Sequence, residues 1–273
     1  MQLSRRRFAG VAGAFMLGIG CCGCHSAPVT GRRQLMLLPE GHEVQLGASA
    51  FQETLAEQRL SSNHALAEVV QRVGERIAAV SGRNDFQWEF KLVESEVQNA
   101  FCLPGGKVAV YEGILPVCAD EAGVAVVMSH EIAHALARHG GERMSQQLGV
   151  NGARMALERI AAAKFPSRSE ALLQAYGVAT EYGLILPYSR KQESEADHIG
   201  LMLMSRAGYD PTSAPDFWVR FGQVKGDAAQ AEWHSTHPTD ARRSSDLQQL
   251  MNEALPIYEA ARQQHGRGET LDV

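Results

Sequence analysis

Hydrophobic and polar positions follow a helical period over much of the 273-residue chain. Residues 41–60 and 64–80 each carry apolar side chains three and four positions apart, which predicts two helices that pack as a pair. A last amphipathic helix is predicted from Leu247 to Arg262, followed by a frayed tail after His265. In the second helix one apolar stripe is formed by Leu66, Val69, Val70, Val73 and Ile77.

An alternating pattern interrupts the helical one between Phe86 and Val93, where Phe, Trp, Phe and Leu alternate with polar residues. This alternation predicts a half-buried strand. Pro104-Gly105-Gly106 predicts a turn, and Lys107–Tyr111 is predicted as the next strand. Aromatic residues are few and Ala, Leu and Val are plentiful, so the expected fold class is α+β and mostly helical.

A helical apolar pattern also surrounds the segment from Ser129 to His139, which contains the motif His-Glu-x-x-His. His130 and His134 are four residues apart, so on a helix both imidazoles leave the same face and can bind one metal ion. Glu131 lies one position round from that face, where it can act as a general base on a water molecule. Nitrogen ligands with one open position are typical of catalytic zinc, so the segment predicts a zinc site on a helix.

The third ligand is expected on a later helix. A histidine six residues beyond His134 is excluded, because Gly140 occupies that position and His139 comes one residue too early. Glu193 and Asp197 are four residues apart and share a helix face, while Glu195 points away. We therefore predict Glu193 as the third ligand and Asp197 as the acceptor of a hydrogen bond from a ligating imidazole. The alternative is a charged helix start that faces solvent.

These motifs resemble the gluzincin metallopeptidases of family M48, the CAAX prenyl protease and HtpX type. The similarity is strongest to the small bacterial lipoprotein branch, which is related to the mitochondrial OMA peptidases. It covers the chain from about Pro28 to about Leu250. It implies a gluzincin-type metallopeptidase domain with a small sheet beside the active-site helix and Lys107–Tyr111 at the edge of that sheet. Four further matching segments are Val29-Thr30-Gly31-Arg32-Arg33-Gln34-Leu35, Asn99-Ala100-Phe101-Cys102-Leu103-Pro104-Gly105-Gly106, Leu186-Pro187-Tyr188-Ser189-Arg190 and Thr236-His237-Pro238.

The resemblance implies a zinc-dependent endopeptidase that cleaves misfolded or misassembled envelope proteins. Glu131 would be the general base, and His237 and Arg243 would be donors to the tetrahedral oxyanion. His237 could also take the fourth metal position at rest. In the alternative reading for these two residues, they form a helix-capping turn and a surface charge. The expected cofactor is one Zn²⁺ per chain, bound by His130, His134 and Glu193.

A second function from a different class is a non-proteolytic, zinc-containing chaperone or assembly factor that is also a lipoprotein. In that hypothesis the cleft would hold client proteins without cutting them. The presence of Glu131 argues against it, because a protein that only binds has no need of a general base.

The N-terminus has the features of an export signal. Three arginines, Arg5–Arg7, precede an apolar run from Phe8 to Gly20 that is too short to span a bilayer comfortably. Twin-arginine and general secretory export both remain open. The following Cys21-Cys22-Gly23-Cys24 resembles a lipobox, so Cys24 or Cys21 is expected to carry a lipid. We therefore expect a lipid-anchored protein on the periplasmic side of the outer membrane, with the outer-membrane assembly machinery as a further partner.

The remaining features bound the organisation of the chain. The net charge is −5 and the mature chain has no Lys/Arg cluster beyond Arg32-Arg33, so nucleic acid is not an expected partner. The predicted regions are a signal peptide with the Cys cluster at 1–24, the metallopeptidase domain at 25–250, and a C-terminal helix and tail at 251–273. His139 and His198 are adjacent to the motifs but are predicted to lie outside the site. Cys102 and Cys118 are expected to be free thiols.

Overall fold

The computed structural model describes residues 24–164, 189–223, 237 and 242–273. Its strands are β1 (Cys24–Ser26), β2 (Arg33–Leu35), β3 (Glu89–Val93), β4 (Ala100–Leu103) and β5 (Lys107–Tyr111). Its helices are α1 (Glu40–Glu57), α2 (His64–Val80), α3 (Leu115–Cys118), α4 (Glu121–Leu136), α5 (His139–Lys164), α6 (Arg190–Arg206), α7 (Ser213–Gln223), α8 (Arg243–Gln249) and α9 (Met251–Glu259). The α+β, mostly helical class predicted from the sequence is confirmed.

Helix α4 forms the centre of the fold and is buried along its whole length. Its sequence is apolar or small on every side, as expected for a helix surrounded by other elements. Helices α2, α6 and α7 and strand β4 pack around it. The apolar stripe predicted on α2 is buried against this core. Helix α1 packs instead on β4 and β5, so the prediction that α1 and α2 pack mainly on each other is wrong.

The main sheet has three strands in the order β3-β5-β4. Strand β5 pairs in parallel with β3 and antiparallel with β4. The strand expected at the sheet edge, Lys107–Tyr111, is therefore the central one, and β4 is the outer strand that packs against α4. The parallel pairing explains this order, because β3 and β5 need a long connection and β4 lies within it.

The C-terminal region is more ordered than the sequence predicts. The single helix expected from Leu247 to Arg262 is two helices, α8 and α9, which meet at Leu250. The tail is not frayed: Glu121 N–H donates to Glu269 O, and Leu271 N–H donates to Ala119 O. These bonds satisfy backbone groups at the start of α4, and the Leu271 side chain is buried in the core.

Two smaller findings concern the thiols and the length of the helices. Cys102 and Cys118 are free thiols, as predicted. In the described part of the chain, no helix combines the length and apolar character required to cross a bilayer. The predicted signal peptide and Cys21 lie outside the described residues, and Cys24 begins β1.

Candidate metal centre

The His-Glu-x-x-His motif lies in the second half of α4. The helix begins after Asp120, an N-cap whose side chain accepts a hydrogen bond of 2.8 Å from Gly123 N–H. Helix α6 crosses the motif closely because Gly200 has no side chain. A Cβ atom at Gly200 would lie only 3.0 Å from the backbone nitrogen of His130. The short distance between the two helices brings Glu193 and Asp197 to the histidines.

Four buried side chains bring their ligand atoms together: His130, His134, Glu193 and His237. All of these atoms lie within 4.8 Å of one another. His134 Nε2 is 3.1 Å from His130 Nε2 and 3.4 Å from Glu193 Oε1. His237 Nδ1 is 3.3 Å from His130 Nε2 and 3.1 Å from Glu193 Oε1. The structure thus brings together the three predicted ligands and adds a third imidazole.

Asp197 and Arg243 support the side of this cluster that His130 forms. Asp197 Oδ1 lies 3.0 Å from His130 Nδ1, as the sequence predicts. Arg243 donates to both oxygens of Asp197, at 2.6 and 2.7 Å, and to Glu193 Oε2 at 3.1 Å. Its guanidinium carbon lies 3.4 Å from the centre of the Trp218 ring. Arg243 is 5% exposed, so it is not a surface charge, and its contacts orient the carboxylates.

The pKa values of the two motif histidines shift in opposite directions. Burial alone would lower the pKa of His130, but hydrogen bonds to Asp197 and Glu193 raise it to about 9. Burial alone would raise the pKa of Glu193, but hydrogen bonds from His130, His134 and His237 hold it well below its usual value. Burial holds the pKa of His134 well below 6.5. A neutral imidazole beside an ionised carboxylate is the donor set that a divalent cation requires.

Glu131 lies beside the cluster, next to His237. Its Oε1 atom is 3.4 Å from His237 Nε2. Burial raises the pKa of the Cys102 thiol on β4, and the charge of Glu131 raises it further. Strand β4 packs against α4, the helix that carries Glu131.

Sequence reasoning missed His139, which is fully buried in contact with His134. As predicted, it does not join the metal-ligand atoms, but its Nδ1 lies 2.8 Å from His134 Nδ1. Its Nε2 lies 2.9 Å from Glu195 Oε2. Glu195 points away from the ligand atoms, as predicted, yet it is buried and bonded rather than solvent-exposed. The adjacent His198 pairs with Glu253 outside the site, as expected.

Comparisons with known proteins agree with this geometry. The family model described as "Peptidase family M48" matches residues 64–251. The chain is 37% identical over 256 residues to the mitochondrial metalloendopeptidase OMA1 of Schizosaccharomyces pombe, covering 91% of this chain and 74% of the relative. It is 31% identical to human metalloendopeptidase OMA1, covering 85% of this chain and 47% of the relative. It is 26% identical to the Escherichia coli "Beta-barrel assembly-enhancing protease", covering 80% and 45%.

The chain therefore spans less than half of the human and E. coli relatives, but most of the fission-yeast one. In all three the matched part includes the two motifs that form the cluster, because the alignments cover at least 80% of this chain. On the family match and on the OMA1 relatives, the chain belongs to peptidase family M48 and is a metalloendopeptidase, a hydrolase of peptide bonds.

Proposed function

We propose that the protein is a zinc endopeptidase whose ion is bound by His130, His134 and Glu193. The observation that carries this proposal is the spacing of the ligand atoms. Ligands at zinc–nitrogen distances of about 2.0–2.1 Å in a tetrahedron lie about 3.3 Å apart. The imidazole nitrogens of the cluster lie 3.1 and 3.3 Å from one another, and the two oxygens of Glu193 lie 3.4 and 3.5 Å from His134 Nε2 and His130 Nε2. The residues therefore fit zinc in both donor type and spacing.

The reaction uses the residues around this cluster in separate roles. His130, His134 and Glu193 would hold the zinc ion, whose Lewis acidity would make a water molecule more acidic and would polarise the scissile carbonyl. Glu131 accepts the proton of the attacking water and transfers it to the leaving amine. His237 supplies a hydrogen-bond donor to the oxyanion that develops. Arg243 keeps Asp197 and Glu193 in place, and Asp197 accepts the Nδ1 proton of His130, which directs its other nitrogen to the metal.

The substrate chain would lie along β4. Tyr111 N–H donates to Asn99 O, so the antiparallel register turns the backbone groups of Ala100 and Cys102 away from β5. An extended peptide can pair with such an outer strand through its main chain, which tolerates many substrate sequences. The strand packs against α4, and its residues Cys102 and Leu103 line a cavity together with His134, so a peptide paired with the strand would pass the cluster.

A cavity of about 430 Å³ continues from this strand to the metal ligand His134. Its walls are largely apolar, and the charged pair Arg138–Glu43 also lines it. We propose that it receives an apolar side chain of the substrate next to the scissile bond. Side chains of this kind are exposed in misfolded proteins and buried in folded ones. The apolar lining residues include Leu46, Ala50, Cys102, Leu103 and Met144.

We further propose that the enzyme acts at the bacterial envelope on misfolded or misassembled proteins. The lipobox-like Cys21-Cys22-Gly23-Cys24 supports a lipid anchor on the periplasmic side of the outer membrane. The E. coli relative is named for enhancing β-barrel assembly, which supports the outer-membrane assembly machinery as a partner. β-Barrel proteins are the spanning proteins of outer membranes, so their failed intermediates are the proposed substrates.

Glu131→Gln tests the proposed chemistry. It keeps the volume and one hydrogen-bonding oxygen but removes the base, so peptide cleavage should fall by about 10²–10⁴-fold while zinc content stays the same. Envelope proteins from cells that express the variant should include substrates that accumulate or co-purify. A variant that cleaves at the wild-type rate would overturn the role of Glu131, and a wild-type protein that purifies without binding zinc would overturn the choice of metal.

A further inference from the structure

His139 approaches the metal ligand His134 from the side opposite the metal. The two Nδ1 atoms are 2.8 Å apart, and both rings are buried. His134 uses Nε2 towards the cluster, so its single proton as a neutral ligand must be on Nδ1. That proton is donated to His139 Nδ1, which leaves the proton of His139 on Nε2. The geometry therefore fixes the tautomers of both rings.

The proton on His139 Nε2 is received by Glu195. Glu195 Oε2 lies 2.9 Å from it, and Glu195 is only 5% exposed. Glu195 is an acceptor for three donors, because Thr30 and Arg32 also donate hydrogen bonds to its carboxylate. A buried carboxylate at the end of such a series strengthens each preceding donor and raises the basicity of the metal ligand.

The carboxylate of Glu195 is held in turn by the turn between β1 and β2. Thr30 Oγ1 donates to Glu195 Oε1, and Arg32 Nε donates to Glu195 Oε2 at 2.7 Å. The other two nitrogens of Arg32 each lie 2.8 Å from an oxygen of Glu142. Thr30 and Arg32 belong to the segment Val29–Leu35, which resembles the family but has no part in the proposed reaction. Their bonds give that segment a place in the metal site.

We propose that His139 is a positioning residue for the metal ligand His134, and that Arg32 fixes His139 through Glu195. The two histidine ligands then donate to different hydrogen-bond partners. His130 donates directly to Asp197, whereas His134 reaches its carboxylate through a second imidazole. The longer route allows Glu195 to be tied to the N-terminal turn, so an ordered N-terminal segment is required for full metal affinity. This inference rests on the proposed zinc site.

The experiment measures the zinc dissociation constant of the full chain by competition with a chelator of known affinity. His139→Leu keeps most of the volume but cannot accept or donate, and it should weaken binding by about 10–100-fold. His139→Gln offers an amide oxygen to His134 and an amide N–H to Glu195, so it should restore most of the affinity. Arg32→Gln should weaken binding in the same direction, by about tenfold. Arg59→Gln, at an exposed arginine that pairs with Glu94, is the matched control and should bind as wild type does.

Two further measurements separate positioning from a general loss of structure. The Co²⁺-loaded proteins should show an altered visible spectrum in His139→Leu but not in Arg59→Gln, because that spectrum reports ligand geometry. In excess chelator, His139→Leu and Arg32→Gln should lower the melting temperature by less than they lower it in the zinc-loaded protein. Equal zinc affinity in wild type, His139→Leu and Arg32→Gln would overturn the proposal. So would a His139→Gln variant as weak as His139→Leu. If the wild type itself binds no zinc, the proposed function fails instead, and Glu193→Ala, which removes a ligand, shows that the assay detects loss of binding.

Discussion

Glu193 contacts one ring nitrogen of His134 directly, and Glu195 is connected to the other ring nitrogen through His139. Glu193 Oε1 lies 3.4 Å from His134 Nε2, and Glu195 contacts His139, whose Nδ1 lies 2.8 Å from His134 Nδ1. Both carboxylates lie in the first two turns of α6, two residues apart. A movement of α6 relative to α4 would therefore disturb the metal ligand on both sides. The metal affinity should report the packing of these two helices.

Metal affinity should separate Glu193 from Asp197. Glu193→Ala removes a proposed ligand and should abolish zinc binding at concentrations where the wild type is saturated. Asp197→Ala removes only the acceptor of the His130 Nδ1 proton, so we expect binding weaker by about 10–100-fold. Isothermal titration and metal analysis of the purified proteins measure both. If Asp197→Ala loses zinc as completely as Glu193→Ala, the assignment of ligand and support is wrong.

Arg243 provides a test of its two possible roles. As an oxyanion donor it would affect turnover while zinc affinity stayed unchanged. Its bonds to Asp197 and Glu193 predict instead that Arg243→Gln weakens zinc binding by about tenfold or more and lowers activity in proportion. Activity measured at saturating zinc decides between the two. Full recovery of turnover by added zinc supports the positioning role, and a persistent loss supports the catalytic one.

Most of the site was predictable because its residues follow helical spacing within two short segments of the sequence. His130 and His134, and likewise Glu193 and Asp197, are four residues apart on one helix, so their shared faces follow from the sequence. That these two faces meet depends on Gly200, whose lack of a side chain allows α6 to approach His130. The family resemblance supplied that pairing before the structure did.

The contact of His139 could not be predicted from spacing. On a continuous helix a residue five positions beyond His134 would point about 140° away. Helix α4 ends at Leu136, and Arg138 has a positive φ of 53°, an uncommon conformation for a residue with a side chain. This break turns the start of α5 back towards α4 and places His139 against His134. The side chain of Arg138 is held there by Glu43 and by Leu38 O.

Contacts between segments that are distant in the sequence explain the other differences between the predicted and the observed fold. The sequence gives no sign that Lys107–Tyr111 pairs on both sides, because the order of strands depends on contacts between separate segments. The tail after His265 is polar and short, so the sequence predicts that it is frayed. Its backbone bonds to the start of α4 become visible only in the fold.

The lipid anchor is tested at the two candidate cysteines. Cys24→Ser and Cys21→Ser should be made separately, and one of them should abolish incorporation of labelled fatty acid and release the protein from membranes. The physical reason is that membrane attachment rests on the acyl chains of one modified cysteine. Cys118→Ser, at a buried free thiol, is the control and should remain lipidated. Release of an unlipidated wild-type protein into the soluble fraction would contradict the proposal.

The Arg32–Glu142 pair predicts an acid-dependent stability. Burial alone would raise the pKa of Glu142, but hydrogen bonds from Arg32 and Gln192 lower it below 4.5. The stabilisation is therefore complete above the unfolded value of 4.5 and is lost as pH falls towards the lower folded value. Glu142→Gln should be less stable than wild type near pH 7, and the difference should shrink below pH 4.5. Urea unfolding measures the free energy of unfolding at both pH values. The control Glu158→Gln, on the exposed face of α5, should leave that free energy unchanged at both.

The last prediction concerns His237, which contacts both a proposed metal ligand and the proposed general base. Its Nδ1 atom lies 3.1 Å from Glu193 Oε1, and its Nε2 atom lies 3.4 Å from Glu131 Oε1. Three protein ligands leave zinc a fourth position, and His237 Nδ1 is close enough to the other ligand atoms to fill it. We therefore expect His237 to close the site at rest and to act as a donor to the oxyanion once a substrate displaces it.

The two roles predict opposite effects of His237→Ala on the rate of cleavage. A donor alone predicts slower cleavage, and a latch alone predicts faster and less selective cleavage, including cleavage of the enzyme itself. The combined role predicts more self-cleavage together with modestly lower turnover of a good peptide. Incubation of the zinc-loaded variant, followed by mass spectrometry of its fragments, measures the first, and a fluorogenic peptide measures the second. Because Glu131→Gln/His237→Ala lacks the base, it should stop the self-cleavage, which shows that the fragments come from this active site. Wild-type behaviour of His237→Ala in both assays and in zinc affinity would mean that His237 has only a structural role.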